Sequence, residues 1–505
     1  MKKILINEEP WQIRVAITDD EVLQNIYFWS HAGTVLEKSF YQGLVTKVLP
    51  GIQTAFVDIG QEKAGFLHIS EIDRELAINR MSESFGSFES TDKRESERRP
   101  RGQSADIAKI LKEGELLLVQ VSKEPVNEKG AKLTTCFTLP GRFIVLMPTI
   151  PRIGISKKID DRDERNRLRD LVLSNLPEGM GAIIRTCSEN RAEKEIGQDI
   201  KFLLAIWEDI LAKQKTAQVG EVIHEDIDLS LQVVRDHLDN DVEEVLVDNK
   251  NMQKSLANFV KDIAPEFSDT IKLYTGKTPI FDKYNIESQI KESLKSKVDL
   301  KSGGSIVIEA TEAMTVVDVN TGRFIGRSNM EDTIFKTNME AAQEVTRQLK
   351  IRNIGGLIVI DFIDMSSGSN KQKLFRFFEK TLKEQDKFQS VLLKISEFGL
   401  VQMTRKRSGK TLIKELTDIC KDCAGTGVTP SVRAESYALL RQLKEDLVQH
   451  KILGNITIKL SPQVFDYIST TEYNTLFNFE KELDGKITLE SEKSLPVGSF
   501  KIEQH

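Results

Sequence analysis

The stretch from 303 to 365 constrains the fold of this chain more than any other. It opens with two short apolar strands joined by a polar turn, GGSIVIEATEAMTVVDVNTG, and closes with a third, GLIVIDFIDM. Between them, residues 331 to 352 carry apolar side chains at helical spacing, and Gly355 and Gly356 supply a stop signal. Strand–helix–strand crossovers are right-handed and place their two strands side by side in parallel. The stretch therefore predicts an α/β sheet with both strands ending at the same edge.

An acidic residue ends each of the two strands. Asp318 ends the second of the three strands and Asp361 ends the third, the two strands that the helix connects, so we expect their carboxylates to converge. Two neighbouring carboxylates repel each other, and Mg²⁺ relieves that repulsion while keeping several of its own waters. Such an ion polarises a phosphoryl oxygen and lowers the pKa of a bound water, as phosphodiester hydrolysis requires. Asn320, on the same strand face as Asp318, offers an amide to a phosphate oxygen. Asp364 is a further candidate, and helix capping or plain exposure is the alternative for each aspartate.

The length and composition of the whole chain indicate a soluble, multi-domain protein. A chain of 505 residues exceeds what one core organises, and 39% hydrophobic with 29% charged residues is ordinary for globular proteins. A net charge of -6 means that any binding of phosphates depends on local basic patches. Four cysteines are too few for a disulfide scaffold, the start lacks a signal-peptide core, and no apolar run reaches membrane-spanning length. We expect a cytoplasmic protein.

Residues 40 to 72 have the pattern of a small β-barrel, with short strands separated by Gly and Pro. Phe56 and Phe66, with Lys47 and Lys63 nearby, suit an OB-fold face on which aromatic rings stack on bases and lysines meet phosphates. Burial of both rings in the barrel core is the commoner alternative. Residues 83 to 105 are dense in Ser, Gly and charge, and predict a disordered insert in the barrel.

Three further motifs suggest binding. The strand GMGAIIRTCSEN ends in Arg185 and Thr186, a cationic fork beside a hydroxyl that suits a phosphate, although the sequence alone favours a surface salt bridge. The run MTRKRSGK, residues 403 to 410, is either a phosphate-backbone patch or a solvated face. Cys420 and Cys423 have the spacing of half a zinc site, and a second copy of the chain would supply the missing ligands. Two reduced thiols in a turn are the alternative.

Taken in order, several motifs resemble the bacterial ribonuclease E/G family over nearly the whole chain. They are AFVDIG with GFL, KGAKLTT, IIRT, IKLYTG with PIFDKYNIESQI, TEAMTVVDVN, GGLIVIDFIDM, MTRKR and the cysteine pair. The resemblance implies an α/β multi-domain fold in which an OB-fold (S1-like) RNA-binding barrel is inserted in an RNase H-like region. The expected domains are the RNase H-like parts 1–37 and 231–293, the barrel 38–135, a 5′-sensor region 136–230, the α/β nuclease core 294–415, a zinc link 416–429 and a small α+β dimerisation domain 430–505.

The resemblance also implies a function. A member of this family cleaves single-stranded, A/U-rich RNA to 5′-phosphate and 3′-hydroxyl ends, with Mg²⁺ on Asp318 and Asp361 and assistance from Asn320. It implies RNA contacts at Phe56, Phe66 and Lys129, which reverses the preference for a core role of the two rings. The implied partners are rRNA precursors and mRNA, and the implied processes are rRNA 5′-end maturation and mRNA decay.

The resemblance further implies a sensor for a 5′-monophosphate. Arg185 and Thr186 would hold the phosphate, with backbone support at Gly141 and Val145. One more basic contact of the family falls on Gln389, which is uncharged. The cysteine pair matches a zinc link between two protomers of a homodimer or tetramer. The competing interpretations are a non-catalytic RNA-binding or ribosome-associated protein and a zinc-dependent enzyme centred on Cys420 and Cys423.

Overall fold

The computed structural model describes residues 1–30, 37–73, 106–125, 130–322, 330–396, 399–421, 423–449, 454–483, 485–495 and 500–504. The chain divides into two compact units, Met1–Leu412 and Ile413–His505. The predicted insert 83–105 and the predicted RNA contact Lys129 both lie outside the described residues.

The strands, in chain order, are β1 (Lys2–Glu9), β2 (Gln12–Asp19), β3 (Val22–Ser30), β4 (Phe40–Leu49), β5 (Thr54–Asp58), β6 (Gly65–His68), β7 (Leu116–Lys123), β8 (Lys132–Thr134), β9 (Leu139–Pro140), β10 (Ile144–Met147), β11 (Ile153–Ile155), β12 (Gly181–Ile184), β13 (Val222–His224), β14 (Val242–Val247), β15 (Ile271–Leu273), β16 (Lys297–Asp299), β17 (Ser305–Ala310), β18 (Met314–Asn320), β19 (Gly356–Asp361), β20 (Ser390–Leu392), β21 (Leu400–Arg405), β22 (Ile456–Leu460), β23 (Ile487–Ser491) and β24 (Phe500–Gln504). The helices are α1 (Ile107–Ile110), α2 (Arg162–Asn175), α3 (Glu193–Gln214), α4 (Leu229–His237), α5 (Lys250–Ile263), α6 (Ile280–Lys283), α7 (Ile286–Ser293), α8 (Met330–Ile351), α9 (Gly368–Gln385), α10 (Leu412–Leu416), α11 (Val432–Val448), α12 (Pro462–Thr471) and α13 (Tyr473–Leu483).

The first sheet contains strands that lie far apart in the sequence. Its order is β15-β14-β1-β2-β3, and β1 pairs in parallel with β14, some 240 residues later in the sequence. Helices α4 and α5 bury one face, against side chains such as Ile4 and Val15. Helices α6 and α7 bury the other face, which also receives Ile351 at the end of α8. In the sequence, the barrel and the next sheet are therefore inserted between β3 and β14 of this first sheet.

A five-stranded barrel occupies the first part of that interval. Strands β4, β5, β6, β8 and β7 pair in this order, and β4 also pairs with β7, which closes the sheet on itself. The core contains Val45, Val57, Leu67 and Val119, all fully buried. The architecture is consistent with an OB-fold, as the sequence predicts. The next sheet, β11-β12-β10-β9, packs against α2 and α3 around a separate core.

The sheet that carries the two aspartates has the order β16-β17-β18-β19-β21-β20. Strands β18 and β19 are parallel neighbours joined through α8, so the predicted strand–helix–strand unit is confirmed. Residues such as Val317, Ile358 and Val401 face α8 and α9 and form the core. On the opposite face, Leu357 and Val391 are exposed. The sheet is therefore covered by helices on one face, and its other face carries exposed side chains that include the polar Gln402 and Thr404.

The second unit contains a small α+β domain. Strand β22 lies between β23, which is parallel to it, and β24, which is antiparallel. Helices α11, α12 and α13 bury one face of this sheet around Ile458, Leu443 and Ile468. The helix and short strands expected from the sequence after residue 430 are present.

Candidate active site and RNA-binding surface

Asp318 and Asp361 lie directly opposite each other on parallel strands. They are partners in the β18–β19 register, and both side chains are exposed. Strand neighbours are separated by about 4.8 Å, so the two carboxylates project side by side from the open face of the sheet. Alternation produces this placement, because Val317 and Val319 on either side of Asp318 are buried in the core. The structure thus brings together the pair that the sequence suggests.

Burial and neighbouring negative charges both act on the Asp361 carboxyl. Partial burial, followed by the charges of Asp318 and Asp364, raises the pKa of the Asp361 carboxyl above its usual range. The side-chain amide of Asn320 donates a hydrogen bond of 2.7 Å to Oδ2 of Asp318. This amide therefore orients one carboxylate, while its second N–H group is still available to a substrate oxygen.

Two residues that the sequence reasoning missed hold the loop after Asp361. Asn338 in α8 is fully buried, donates to the carbonyl of Ile363 at 2.8 Å and accepts from its amide at 3.0 Å. Glu331, in the first turn of α8, accepts hydrogen bonds from the amides of Ser366 and Ser367 at 3.1 and 3.0 Å. An asparagine within the apolar stripe of a helix is the sequence signal that could have identified Asn338.

Asp364 lies in this loop, which Asn338 and Glu331 hold by hydrogen bonds, and its carboxylate faces Gly399. A Cβ atom at Gly399, whose φ is +81°, would lie 2.9 Å from Oδ1 of Asp364. The glycine thus permits both the left-handed backbone and the close approach of the carboxylate. Among the residues that the structure describes, no three His, Cys, Asp or Glu side chains are grouped to hold a metal ion. A pair of carboxylates is nevertheless enough for Mg²⁺, which keeps several waters.

The candidate sensor residues converge at the end of β12. Arg185 donates from Nη1 to the carbonyl of Gly141 at 2.6 Å and to Oδ1 of Asp236 at 2.8 Å. Thr186 lies beside it, and its exposed hydroxyl is 2.9 Å from that of Ser156. The ion pair with Asp236 is the salt bridge that the sequence left as an alternative. This ion pair fixes the Arg185 guanidinium through Nη1, one of its two terminal nitrogens.

Gly141 has a structural reason to be glycine. A Cβ at this position would lie 2.6 Å from Oδ2 of Asp199. The buried Asp199 carboxylate accepts hydrogen bonds from the backbone amides of Arg142, Phe143 and Ile144. These bonds fix the turn into β10, which carries Val145 opposite Ile183 of β12. Gly141 and Val145 are thus held beside Arg185 by backbone structure.

A row of four side chains crosses neighbouring strands of the barrel, and we call it the barrel row: Lys47, Phe56, Phe66 and Lys132. Phe56 is paired with Phe66, Lys47 with Phe56, and Phe66 with Lys132. Both rings are half-buried and outside the barrel core, since Ala55, Val57 and Leu67 point the other way. The core role favoured by aromatic statistics is wrong for them. Lys132, which forms an ion pair with Glu71, extends the row and was not anticipated.

The basic run 403–410 is only partly a surface patch. Lys406, Arg407 and Lys410 are exposed, as expected for a phosphate-binding or solvated surface. Arg405 is 3% exposed and forms a two-pronged ion pair with Asp386, at 2.6 and 3.0 Å. A third hydrogen bond of 2.6 Å reaches the carbonyl of Ile354. Arg405 is therefore a buried structural residue, and its assignment to a phosphate patch is wrong.

The two cysteines of the second unit lie in an exposed turn. Cys420 is exposed, and Cys423 is followed by residues with positive φ at Ala424, Gly425 and Gly427. The backbone amides of Gly427 and Gly425, and then Cys420, lower the pKa of the Cys423 thiol. Amide donors near a thiol favour the thiolate, which is the form of cysteine that binds a metal. The pair offers two ligands of the four that structural zinc requires.

Comparison with known proteins decides the family. The profile of the Ribonuclease E/G family matches residues 138–408, more than half of the chain. The chain belongs to the ribonuclease E/G family. A second profile, described as the thioredoxin-like domain of RNase E/G, matches residues 419–505.

Curated members of the ribonuclease E/G family are similar over almost the whole chain. Ribonuclease G of Escherichia coli strain K12 is 36% identical over 479 residues, which cover 95% of this chain and 94% of that protein. Ribonuclease G of Haemophilus influenzae is 36% identical, over 94% of this chain and 93% of its own length. Ribonuclease E of Escherichia coli strain K12 is 37% identical over 89% of this chain, but only 41% of that longer protein is covered. Within the described ranges, no helix is both long and apolar enough to span a membrane.

Proposed function

We propose that this chain is an endoribonuclease, similar to ribonuclease G, that hydrolyses single-stranded, A/U-rich RNA. The observation that carries the proposal is the direct pairing of Asp318 with Asp361 on the open face of the nuclease sheet, in a chain of this family. Hydrolysis would leave 5′-phosphate and 3′-hydroxyl ends. The expected processes are rRNA 5′-end maturation and mRNA decay in the cytoplasm.

Asp318 and Asp361 would hold the catalytic Mg²⁺. Their chemistry fits, since two carboxylates directly opposite each other concentrate negative charge that a hard cation would neutralise. When bound, Mg²⁺ would polarise the scissile phosphate and activate a water. Asn320 fixes the orientation of Asp318 through its hydrogen bond and offers its remaining N–H to a phosphate oxygen. Asn338 and Glu331 keep the loop after Asp361 in place.

The barrel row would bind the RNA strand. Phe56 and Phe66 offer adjacent ring faces for stacking of two bases, Lys47 lies beside Phe56, and Lys132, which is paired with Glu71, lies beside Phe66. Lys129, which the resemblance assigns to RNA binding, belongs to the same proposal. Stacking is tolerant of sequence, which suits a single-stranded substrate without a defined recognition motif.

The sensor residues would bind the 5′-monophosphate of the substrate and stimulate cleavage. Arg185 is held by Asp236 and by the Gly141 carbonyl, so its guanidinium is already oriented. The Thr186 hydroxyl is exposed beside it, and Val145 continues the backbone support. Cys420 and Cys423 would bind Zn²⁺ together with the same pair of a second protomer, forming a homodimer or tetramer.

The test replaces Asp318 by Asn and measures cleavage of a 5′-monophosphorylated A/U-rich oligomer in Mg²⁺. Asp318→Asn should abolish cleavage and retain binding of the oligomer. Glu309→Gln is the matched control, because Glu309 is an exposed acid on the neighbouring strand β17. Normal cleavage by Asp318→Asn would refute the assignment. Binding without cleavage by the unmodified chain would indicate the alternative, a non-catalytic RNA-binding or ribosome-associated protein.

A further inference from the structure

Two lysines join the sensor region to the C-terminal end of α9. Lys158 donates from its ammonium group to the backbone carbonyls of Lys383, at 3.4 Å, and of Asp386. Lys383 in turn donates to the carboxylate of Asp160. Each region therefore supplies one lysine to an acceptor of the other, so the last turn of α9 and the segment 158–160 are held together in both directions.

Lys158 caps the C-terminus of α9. The last four carbonyl groups of an α-helix have no partner within the helix, and the negative end of the helix dipole lies beside them. A lysine that donates to these carbonyls satisfies them and interacts favourably with the dipole. Burial lowers the pKa of the Lys158 ammonium, because water is partly excluded from this contact. The contact therefore belongs to the packing between two regions of the chain.

Lys158 is also linked to the hydroxyl of Thr186, through Ser156. The backbone amide of Lys158 donates to Oγ of Ser156 at 3.3 Å, and that oxygen lies 2.9 Å from Oγ1 of Thr186. A hydroxyl has one O–H donor and can accept as well. If Thr186 donates to a phosphate, it can accept from Ser156, which accepts from Lys158. All three donors then point towards the phosphate, and hydrogen bonds aligned in this way strengthen one another.

The segment between Thr186 and Lys158 is fixed on both sides. Nη1 of Arg165, in α2, donates to the carbonyls of Ser156 and Ile159 at 2.8 and 2.9 Å. The amide of Ser156 donates to the carbonyl of Ile184, the last residue of β12, at 2.9 Å. These bonds keep the cap on α9 at a defined distance from the end of β12.

The other end of α9 adjoins the active site. Only the loop after Asp361 separates β19 from α9. The carboxylate of Glu331 holds this junction, because it accepts from the amide of Ser367 at 3.0 Å and from the side chain of Asn370 at 3.3 Å. A helix of 18 residues is about 27 Å long, and its backbone hydrogen bonds make it stiff. A displacement at the C-terminus of α9 should therefore reach the loop after Asp361.

We propose that Lys158 is a positioning residue that couples the 5′-phosphate site to the active site, by holding the C-terminus of α9 to the segment beside Thr186. Binding of a 5′-monophosphate would fix the Thr186 hydroxyl and thereby this segment, and α9 would carry the constraint to the loop after Asp361. This inference rests on the proposed end-sensing function and adds the contact through which it stimulates cleavage. Its effect falls on the rate of cleavage, since the ammonium group of Lys158 donates to α9.

The experiment compares two A/U-rich oligomers that differ only in a 5′-monophosphate or a 5′-hydroxyl. Cleavage rates are measured in Mg²⁺ with the protein in excess, and affinities are measured without divalent cations. Lys158→Met should lower the ratio of the two rates by about fivefold or more and keep the ratio of the two affinities. Lys158→Arg should keep both ratios, because a guanidinium can donate to the same carbonyls. Lys157→Met, at the exposed neighbouring residue, is the matched control and should also keep both.

Each outcome discriminates. If the 5′-monophosphate stimulates the unmodified protein and Lys158→Met keeps the rate ratio, the role of Lys158 is refuted and the proposed sensing by Arg185 stands. A fall of both ratios together would assign Lys158 to binding or to folding and overturn the coupling, as would an equal loss in Lys158→Arg. If the unmodified protein shows no stimulation, the sensing and the coupling are both refuted, whereas Asp318→Asn decides the nuclease assignment separately.

Discussion

Asn338 exchanges two hydrogen bonds with the backbone of Ile363, two residues beyond Asp361. Asn338→Leu keeps the branched shape of the side chain but leaves the part-buried amide and carbonyl of Ile363 without this partner. Each unsatisfied group costs ~1–3 kcal/mol, so the free energy of unfolding should fall by that order. The displaced loop should also raise the Mg²⁺ concentration required for half-maximal cleavage.

Urea unfolding and a Mg²⁺ titration of the cleavage rate measure these effects. Thr346→Val is the control, since Thr346 is equally buried in α8 and bonds only its own helix. An unchanged Mg²⁺ requirement in a destabilised Asn338→Leu protein would show that Asn338 stabilises the fold without positioning the site.

The buried pair of Arg405 with Asp386 predicts a large loss of stability when it is broken. Asp386→Asn leaves the Arg405 guanidinium buried without its countercharge, which should cost ~3–5 kcal/mol. Glu384→Gln breaks the exposed pair with Lys380 and should cost less than ~1 kcal/mol. Chemical unfolding compares the two variants. Equal losses would contradict the structural role given to Arg405.

The stability of the first unit should depend on pH through His237. Burial, and then the charge of Lys387, lower the pKa of this imidazole well below 6.5, while its Nε2 lies 3.0 Å from the Tyr27 hydroxyl. Below pH 6.5 the unfolded chain binds a proton that the folded chain does not, so stability falls as the pH falls. The slope should approach ~1.4 kcal/mol per pH unit.

Unfolding titrations between pH 7 and pH 5 test this dependence. His237→Gln should flatten the slope, because it removes the imidazole whose pKa burial lowers. A slope in His237→Gln equal to that of the unmodified protein would refute the assignment.

The proposed zinc link predicts that the cysteine pair controls the oligomeric state. Replacing Cys420 and Cys423 by Ser should convert the dimer into single chains, because each chain supplies half of the four ligands. Sedimentation measures the mass, and a variant with Ser at Cys136 and Cys187 is the control. The same mass before and after replacement of Cys420 and Cys423 would rule out the link.

The parts of this protein that the sequence predicts are those determined by local pattern. Alternation and strand ends place Asp318 and Asp361 correctly, because both signals lie within a few residues of each aspartate. The same alternation could have shown that Phe56 points away from the core, since Ala55 and Val57 flank it.

Contacts between distant residues could not be predicted in this way. Arg405 belongs to a run of charges, and nothing in that run indicates that Asp386 accompanies it into the interior. The approach of Lys387 to Asp236 likewise depends on the packing of two regions about 150 residues apart. Only the folded chain shows which charges pair and which are left to bind a ligand.

The most direct test of the central claim is binding of Mn²⁺, as a paramagnetic substitute for Mg²⁺, measured by electron paramagnetic resonance. The unmodified protein should bind Mn²⁺ in competition with Mg²⁺, and the double variant Asp318→Asn, Asp361→Asn should lose that binding while it remains folded. Glu309→Gln should bind as the unmodified protein does. Undiminished, Mg²⁺-competitive binding of Mn²⁺ by the double variant would contradict the assignment of the metal to Asp318 and Asp361.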